Sequence, residues 1–488
     1  MANETMLQAF EWYLPADGHH WRRLQEEIPI FQKLGLTKVW LPPAFKGTGP
    51  NDVGYGVYDL FDLGEFDQNG TVLTKYGSKE DYLSLIQSLK EAGIMPLADV
   101  VLNHKASGDS KESFSVLRMD PANRQSPLSE PFEIEAWTAF TFPGRRDTYN
   151  DFKWHWYHFT GVDYDAKHDE SGIYLILGDN KGWADQERID NENGNFDYLM
   201  YDDLDFKHPE VVSHLKDWAK WFLDTSQAAG FRLDAVKHID SEFMAEFIRY
   251  IRSDINPDFY VFGEYWKNDA AMTQDYLEQI DQSFSLVDVV LHMNFYDAGQ
   301  KGSQFNLSAV LDGSLMQASP DLAVTFVDNH DSQRGQALES TVEEWFKPLA
   351  YALILLRQQG LPCIFYGDYY GISGDFAQQD FRELLDKLTF LRQHYVYGEQ
   401  NDYFDHPNCI AWTCLGNEEH PDGLAVLLSN GDKGWKKINM GTLNQGKVFI
   451  DYLGNSTDEV TIGQDGWAEF PVEAGSVSAW VDRDSLVN

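Results

Sequence analysis

Acidic residues finish several short apolar runs in this sequence. The runs are Asp99-Val-Val-Leu-Asn103-His104, Arg232-Leu-Asp234-Ala-Val-Lys237-His238, Gly263-Glu264-Tyr265-Trp266 and Phe326-Val-Asp328-Asn329-His330-Asp331. Any one of these carboxyls alone reads as a strand-end cap or a salt-bridge partner. Several at once, each flanked by His, Arg or aromatic residues, suit cleavage of a glycosidic bond. That reaction takes one carboxyl as acid and another as nucleophile or base around an oxocarbenium-like transition state. A third carboxylate stabilises the positive charge or grips ring hydroxyls. Arg232 stands two residues before Asp234, on the same face of a strand. Its charge would keep Asp234 ionised, as a nucleophile requires. Glu264 stands beside Trp266, and apolar surroundings would raise its proton affinity, as an acid requires.

A repeated unit positions these groups: an amphipathic helix, a Gly, then a short apolar strand. Ser78 and Asp81 have capping-box spacing, Tyr82, Leu85, Ile86 and Leu89 form a helical stripe, Gly93 reads as the stop, and Ile94–Leu102 follows as a strand buried on both faces. Val211, Leu215, Trp218 and Phe222 make a second stripe, with Gly230 as its stop before Phe231–Ala235. Thr37–Leu41 follows Gly35, Leu361–Tyr366 follows Gly360, and Tyr260–Glu264 follows Asn256-Pro257. Met6–Trp12, Val287–Phe295 and Ala323–Asp328 complete a set of eight strands. Alternating β and α elements imply a parallel sheet. Eight strands favour a closed (β/α)₈ barrel over an open doubly wound sheet, and no G-x-G-x-x-G or phosphate-binding P-loop follows any strand. In such a barrel the active site lies at the C-terminal strand ends, where the carboxyls fall.

The alternation breaks twice. Residues 104–206 are polar, irregular and rich in aromatics, Asp and Asn, and are expected to form an inserted β-rich domain after the third strand. From residue 399 short alternating runs appear (Gly423–Leu428, Lys447–Tyr452, Trp467–Val472, Ser476–Val481), which predict a C-terminal all-β sandwich over 399–488. The barrel would then comprise 1–103 and 207–398.

The formal charge of −40 argues against nucleic acid or an anionic membrane as partner, because both require basic footprints. A neutral polymer is indifferent to that field. The acidity either keeps the protein soluble or adapts it to high salt, where counter-ions screen self-repulsion. Salt-insensitive unfolding and activity would rule the second reading out. Cys363, Cys409 and Cys414 are too few and odd for a disulfide framework; free buried thiols are expected. The opening Met1–Met6 lacks a basic and an apolar signal region, and no run of 18 apolar residues occurs. A cytoplasmic location is favoured, and a secreted protein whose signal was removed also fits.

The four carboxyl-bearing segments, in this order, resemble the signature regions of the α-amylase family (glycoside hydrolase family 13). Gln8-Ala-Phe-Glu-Trp-Tyr, Val53-Gly-Tyr-Gly-Val-Tyr-Asp-Leu, Asn191-Glu-Asn-Gly-Asn and Leu338-Glu-Ser-Thr-Val resemble its bacterial liquefying and cytoplasmic-type members. The resemblance implies a retaining α-glucan endo-hydrolase, with Asp234 as nucleophile, Glu264 as acid/base and Asp331 as transition-state stabiliser. It implies sugar contacts from Tyr55, His104, Arg232 and His330, and leaving-group contacts from Lys237 and His238. It also implies Ca²⁺ between barrel and insert, held by Asn103, Asp197, Asp203 and the His238 carbonyl. Two acidic positions of a second metal cluster found in liquefying members appear here as Thr160 and Lys207, so one firm calcium site is expected. The implied partner is an α-glucan such as starch, glycogen or maltodextrin, bound by a monomer.

Three rivals stand beside this reading. A transglycosylase or debranching enzyme of the same family would differ in product lengths or linkage. A catalytically dead binding protein would be expected to lose carboxyls that are present here. A metal-dependent hydrolase would recruit His104, His238 and His330 around a catalytic metal.

Overall fold

A computed structural model of the chain describes residues 3–487. Eight parallel strands close into a barrel: β1 Met6–Gln8, β2 Lys38–Leu41, β3 Met95–Val100, β4 Gly230–Leu233, β5 Tyr260–Gly263, β6 Ser285–Val287, β7 Ala323–Phe326 and β8 Leu361–Phe365. Each strand pairs with its sequence neighbours, and β1 closes against β8. Almost every strand residue is buried, as expected of strands covered by helices outside and by side chains inside.

The helix grammar is visible in detail. Ser78 Oγ accepts the Asp81 amide at 3.2 Å and starts the helix Lys79–Glu91, whose buried residues are Tyr82, Leu85, Ile86 and Leu89. Gly93 follows with φ +76°, the left-handed geometry that ends a helix. The helix Pro209–Ser226 buries Val211, Leu215, Trp218 and Phe222, yet its stop is Gln227 (φ 58°), not Gly230. Gly230 is the first residue of β4. A Cβ there would lie 2.4 Å from the Tyr260 carbonyl oxygen, so close strand packing explains the glycine.

The run Val287–Phe295 is corrected more substantially. Only Ser285–Val287 is strand; the Asp288 carboxylate accepts the Leu291 amide at 3.1 Å and caps a helix, Val289–Lys301. A continuous apolar run does not distinguish strand from buried helix, and the cap decides it.

Between β3 and β4 the chain leaves the barrel to form a seven-stranded antiparallel sheet. Its first strand, His104–Lys105, pairs with its last, Asp202–Leu204, with Asp203 opposite His104. The two ends of the excursion are therefore stitched together at the barrel rim. After the helix Arg382–Tyr395 come a six-stranded and a two-stranded antiparallel sheet. The cysteines are free and buried. Among the described residues no helix is long and apolar enough to cross a membrane.

Candidate active site

Strand register places the first polar cluster. Arg232 on β4 lies opposite Asp99 on β3. Arg232 Nη1 donates to Asp99 Oδ1 at 2.9 Å and to Asp234 Oδ1 at 2.6 Å, and Nη2 reaches Glu264 Oε2. One buried guanidinium thus faces both Asp234 and Glu264, so Glu264 sits beside a cation and not in the apolar pocket expected from its neighbour Trp266, whose ring packs on His292 and Phe326. Asp99 Oδ2 accepts from Trp40 Nε1 at 2.8 Å and Tyr55 Oη at 2.9 Å, and the guanidinium lies 5.0 Å from the Trp40 ring centre. Burial raises the Asp99 pKa to about 6 against the lowering effect of Arg232.

Backbone bonds continue past the strand ends and fix the carboxyls. The Asp234 amide donates to the Val100 carbonyl, and the Glu264 amide to the Leu233 carbonyl, both at 2.9 Å. Ala235 then turns left-handed (φ 48°) and leads into a single helical turn, Val236–His238. A non-glycine residue in that conformation is held by its surroundings. This turn delivers Lys237 and His238 to the β5 side.

Beyond β7, Asn329 Oδ1 accepts the amides of Asp331 (2.9 Å) and Ser332 (2.8 Å), which shapes the loop carrying Asp331. Gln8 Nε2 on β1 lies 2.9 Å from His330 Nδ1, and His330 Nε2 lies 3.3 Å from Asp331 Oδ2. The rings of His330, Tyr55 and Trp12 are near-parallel, with Tyr55 5.0 Å from His330 and 5.9 Å from Trp12. Burial raises the Asp331 pKa to about 7, opposed by Arg232 and reinforced by Asp234 and Asp99. Asp234, Glu264, Asp331, Arg232, Tyr55 and His330 thus lie on one connected rim.

His104 donates from Nε2 to the Tyr55 carbonyl at 2.7 Å, and its Nδ1 lies 3.3 Å from Asn103 Nδ2, so both nitrogens are engaged within the chain. His238 Nδ1 donates to the Phe196 carbonyl at 2.7 Å. Burial lowers its pKa to about 3, which keeps the ring neutral. His104, His238 and His330 each have separate partners, and the geometry does not gather them as a metal set. His158, His208 and Glu210 do converge, with ligand atoms within 4.8 Å. However, His158 Nδ1 accepts the His155 amide at 3.0 Å, so Nε2 carries the proton that meets Glu210.

Lys237 Nζ donates to Glu192 Oε2 at 2.9 Å; Lys267 Nζ joins the same carboxylate at 3.0 Å, and Tyr265 Oη donates to Asp190 at 2.7 Å. This bridge from the insert to β4 and β5 went unassigned in the sequence, as did Asp99 and Trp40. Glu192 lies inside the Asn191–Asn195 segment already singled out, which was its signal. A cavity of about 1140 Å³ opens instead against the C-terminal domain, beside Trp345, Asn408 and Trp435, and holds none of the carboxyls above.

Residues 19–414 match the family described as alpha amylase, catalytic domain, and residues 424–481 match alpha-amylase C-terminal. The chain belongs to the α-amylase family. It is 49% identical over 487 residues to an alpha-amylase of Geobacillus stearothermophilus (100% of this chain, 88% of the relative). It is 48% identical to a glucan 1,4-alpha-maltohexaosidase of Bacillus sp. strain 707 (99% and 93%). It is 43% identical to the cytoplasmic alpha-amylase of Escherichia coli K12 (100% of each). The fold is also that of a solved Anoxybacillus alpha-amylase, at a TM-score of 0.64 and 18% identity over 99% of this chain and 97% of that one. These likenesses extend across the barrel, the insert and the C-terminal β-rich domain.

Proposed function

We propose that this α-amylase family member is a retaining endo-hydrolase of internal α-1,4-glucosidic bonds in starch, glycogen or maltodextrins. The observation that carries the proposal is the convergence of Asp234 and Glu264, from adjacent strands, on the single buried Arg232 guanidinium, which donates to Asp234 and lies against Glu264. Two carboxyls drawn onto one fork suit the short separation, roughly 5–5.5 Å, of a double-displacement glycosidase. Asp234 attacks the anomeric carbon while Glu264 gives its proton to the departing oxygen, and a glucosyl ester forms. Glu264, now a carboxylate, takes a proton from water as that water attacks the anomeric carbon, and the bond from that carbon to Asp234 breaks and frees the carboxylate. Asp331 offsets the positive charge that builds on the ring in both steps. Tyr55, His104, Arg232 and His330 would line the ring being cleaved, and Lys237 and His238 the leaving side.

A calcium ion fits Asn103, Asp197, Asp203 and the His238 carbonyl. Asn103 Oδ1 is buried without a hydrogen-bond partner. Asp197 and Asp203 are buried carboxylates whose pKa values burial raises, Asp197 to about 7. The His238 carbonyl accepts no backbone hydrogen bond among the described residues. Hard oxygens with an unmet need for positive charge are what Ca²⁺ requires. Its contribution would be to order the junction of insert and barrel. Asp205 is paired instead with Lys181 at 2.6 Å, and Lys207 Nζ donates to the Trp183 carbonyl at 2.9 Å, which supports a single calcium.

The domain division that accompanies this reading is 1–103 with 207–398 for the barrel, 104–206 for the insert and 399–488 for the C-terminal domain. The protein is proposed to act as a monomer, and in the cytoplasm by extension from the Escherichia coli relative. Hydrolysis of a blocked maltoheptaoside tests the function. Rapid internal cleavage by the wild type, lost by several orders of magnitude in Asp234→Asn and Glu264→Gln, is expected. No wild-type cleavage with calcium present would overturn it.

A further inference from the structure

The catalytic face carries a second aromatic pair. Tyr13 and Phe376 stack with ring centres 5.1 Å apart and planes at 17°. Three loops build the pair: Tyr13 follows β1, Gly335 follows β7 and Phe376 follows β8. These strands are adjacent in the barrel, in the order β1-β8-β7. The Tyr13 hydroxyl donates to the Arg334 carbonyl at 2.8 Å and accepts from Gln336 Nε2 at 2.9 Å. Gly335 has φ +81°, and a Cβ there would lie 2.5 Å from Tyr13 Oη and 2.6 Å from Phe376 Cζ. Only glycine lets that backbone lie against both rings. Phe376 nevertheless remains 40% exposed.

The pair shares its supporting segments with the catalytic rim: the Trp12 amide donates to Gln333 Oε1 at 3.1 Å, in the loop that follows His330 and Asp331. Tyr13 adjoins Trp12, whose ring stacks on Tyr55 and His330. The Tyr55 hydroxyl in turn meets Asp99 beside the nucleophile. Two aromatic groups, Trp12 with Tyr55 and His330 and Tyr13 with Phe376, therefore stand on the same face, joined through the backbone that follows β1. Their direction from the carboxyls follows from the barrel order. Glu264 and Lys237 stand after β5 and β4, across the ring of strands from β8 and β1. The leaving portion of the substrate lies on the side of the proton donor, so the retained portion extends toward Tyr13 and Phe376. A pyranose presents apolar C–H groups on its faces, which suit the face of an aromatic ring and need no charge.

We propose that Tyr13 and Phe376 form a binding platform for a distal glucosyl unit on the non-reducing arm of the chain, and so set how strongly longer substrates are preferred. This rests on the α-glucan reading above. The test compares kcat/KM for blocked maltoheptaoside and blocked maltotrioside in the wild type, Phe376→Ala and Phe376→Trp. The control is Leu443→Ala, a 94% exposed position in the C-terminal domain. In Phe376→Ala the heptaoside-to-trioside ratio is expected to fall about fivefold to tenfold, mainly through KM, and Phe376→Trp should restore it. A ratio unchanged in Phe376→Ala, with a wild type that cleaves both substrates, would overturn the platform alone. A wild type that cleaves neither would overturn the α-glucan reading and the platform with it.

Discussion

The side-chain amide of Gln8 lies 2.9 Å from Nδ1 of His330. An amide nitrogen only donates, so Nδ1 accepts and the imidazole proton stays on Nε2, facing Asp331. Burial and the nearby Arg232 hold the ring well below its ordinary pKa and hence neutral. The first strand of the barrel thereby sets the tautomer of a histidine beyond the seventh. Gln8→Glu replaces a donor with an acceptor and forces the proton onto Nδ1. The expected result is a kcat reduced roughly 10- to 100-fold by misplacement of groups around the reacting ring, measured on blocked maltoheptaoside. A kcat within twofold of wild type would contradict it.

Arg232 serves three carboxyls at once: Asp99, Asp234 and Glu264. Arg232→Met leaves them buried without their shared cation. Breaking such a set costs about 3–5 kcal/mol, to be read from urea unfolding, and cleavage should fall with it by several orders of magnitude. Arg232→Lys keeps the charge but not the planar fork. It should recover more of the stability than of the rate. Equal recovery of both would mean that charge alone matters at this position.

The barrel was legible because its signals are local and repeated: a cap such as Ser78, an apolar stripe, a Gly and a short strand. Where two local signals conflict, the sequence misleads. Val287–Phe295 reads as strand by apolar content, but the Asp288 cap makes most of it helix. Gly230 resembles a helix stop, although strand packing against Tyr260 is its reason. The rim positions were legible because each follows a strand. Partnerships across the chain were not. Glu192 meets Lys237, and Phe376 meets Tyr13, only once the barrel has closed. No spacing encodes those contacts.

Asp331 gives the protein a pH-dependent cost. Burial raises its folded pKa to about 7 from the ordinary aspartate value of 3.8. Between those values the folded chain keeps a proton that the unfolded chain has released. This group's contribution to stability therefore falls as pH rises from about 4 to 7, and the full cost is present above 7. Asp331→Asn removes it. The variant should match the wild type near pH 4 and unfold at higher temperature above pH 7, while losing most activity. A stability difference that does not grow across this window, at constant calcium, would contradict the assignment.

Where the insert returns to the barrel, Asn103 Nδ2 donates to Asp203 Oδ1 at 3.3 Å, the Asn103 oxygen is left unpartnered, and the buried Asp197 carboxylate acts on Asp203 as a like charge. Without a cation those carboxylates oppose folding, since burial disfavours their charge. Chelation is therefore expected to lower the thermal midpoint and to loosen the junction before the barrel itself melts. Asp203→Asn should weaken calcium binding at least tenfold, because a hard cation loses a charged ligand. Calorimetric titration should find one tight calcium per chain, as Lys181 already neutralises Asp205. Two or three tight ions would show that the lysine yields its place to metal, and an unchanged midpoint on chelation would remove calcium from the architecture altogether.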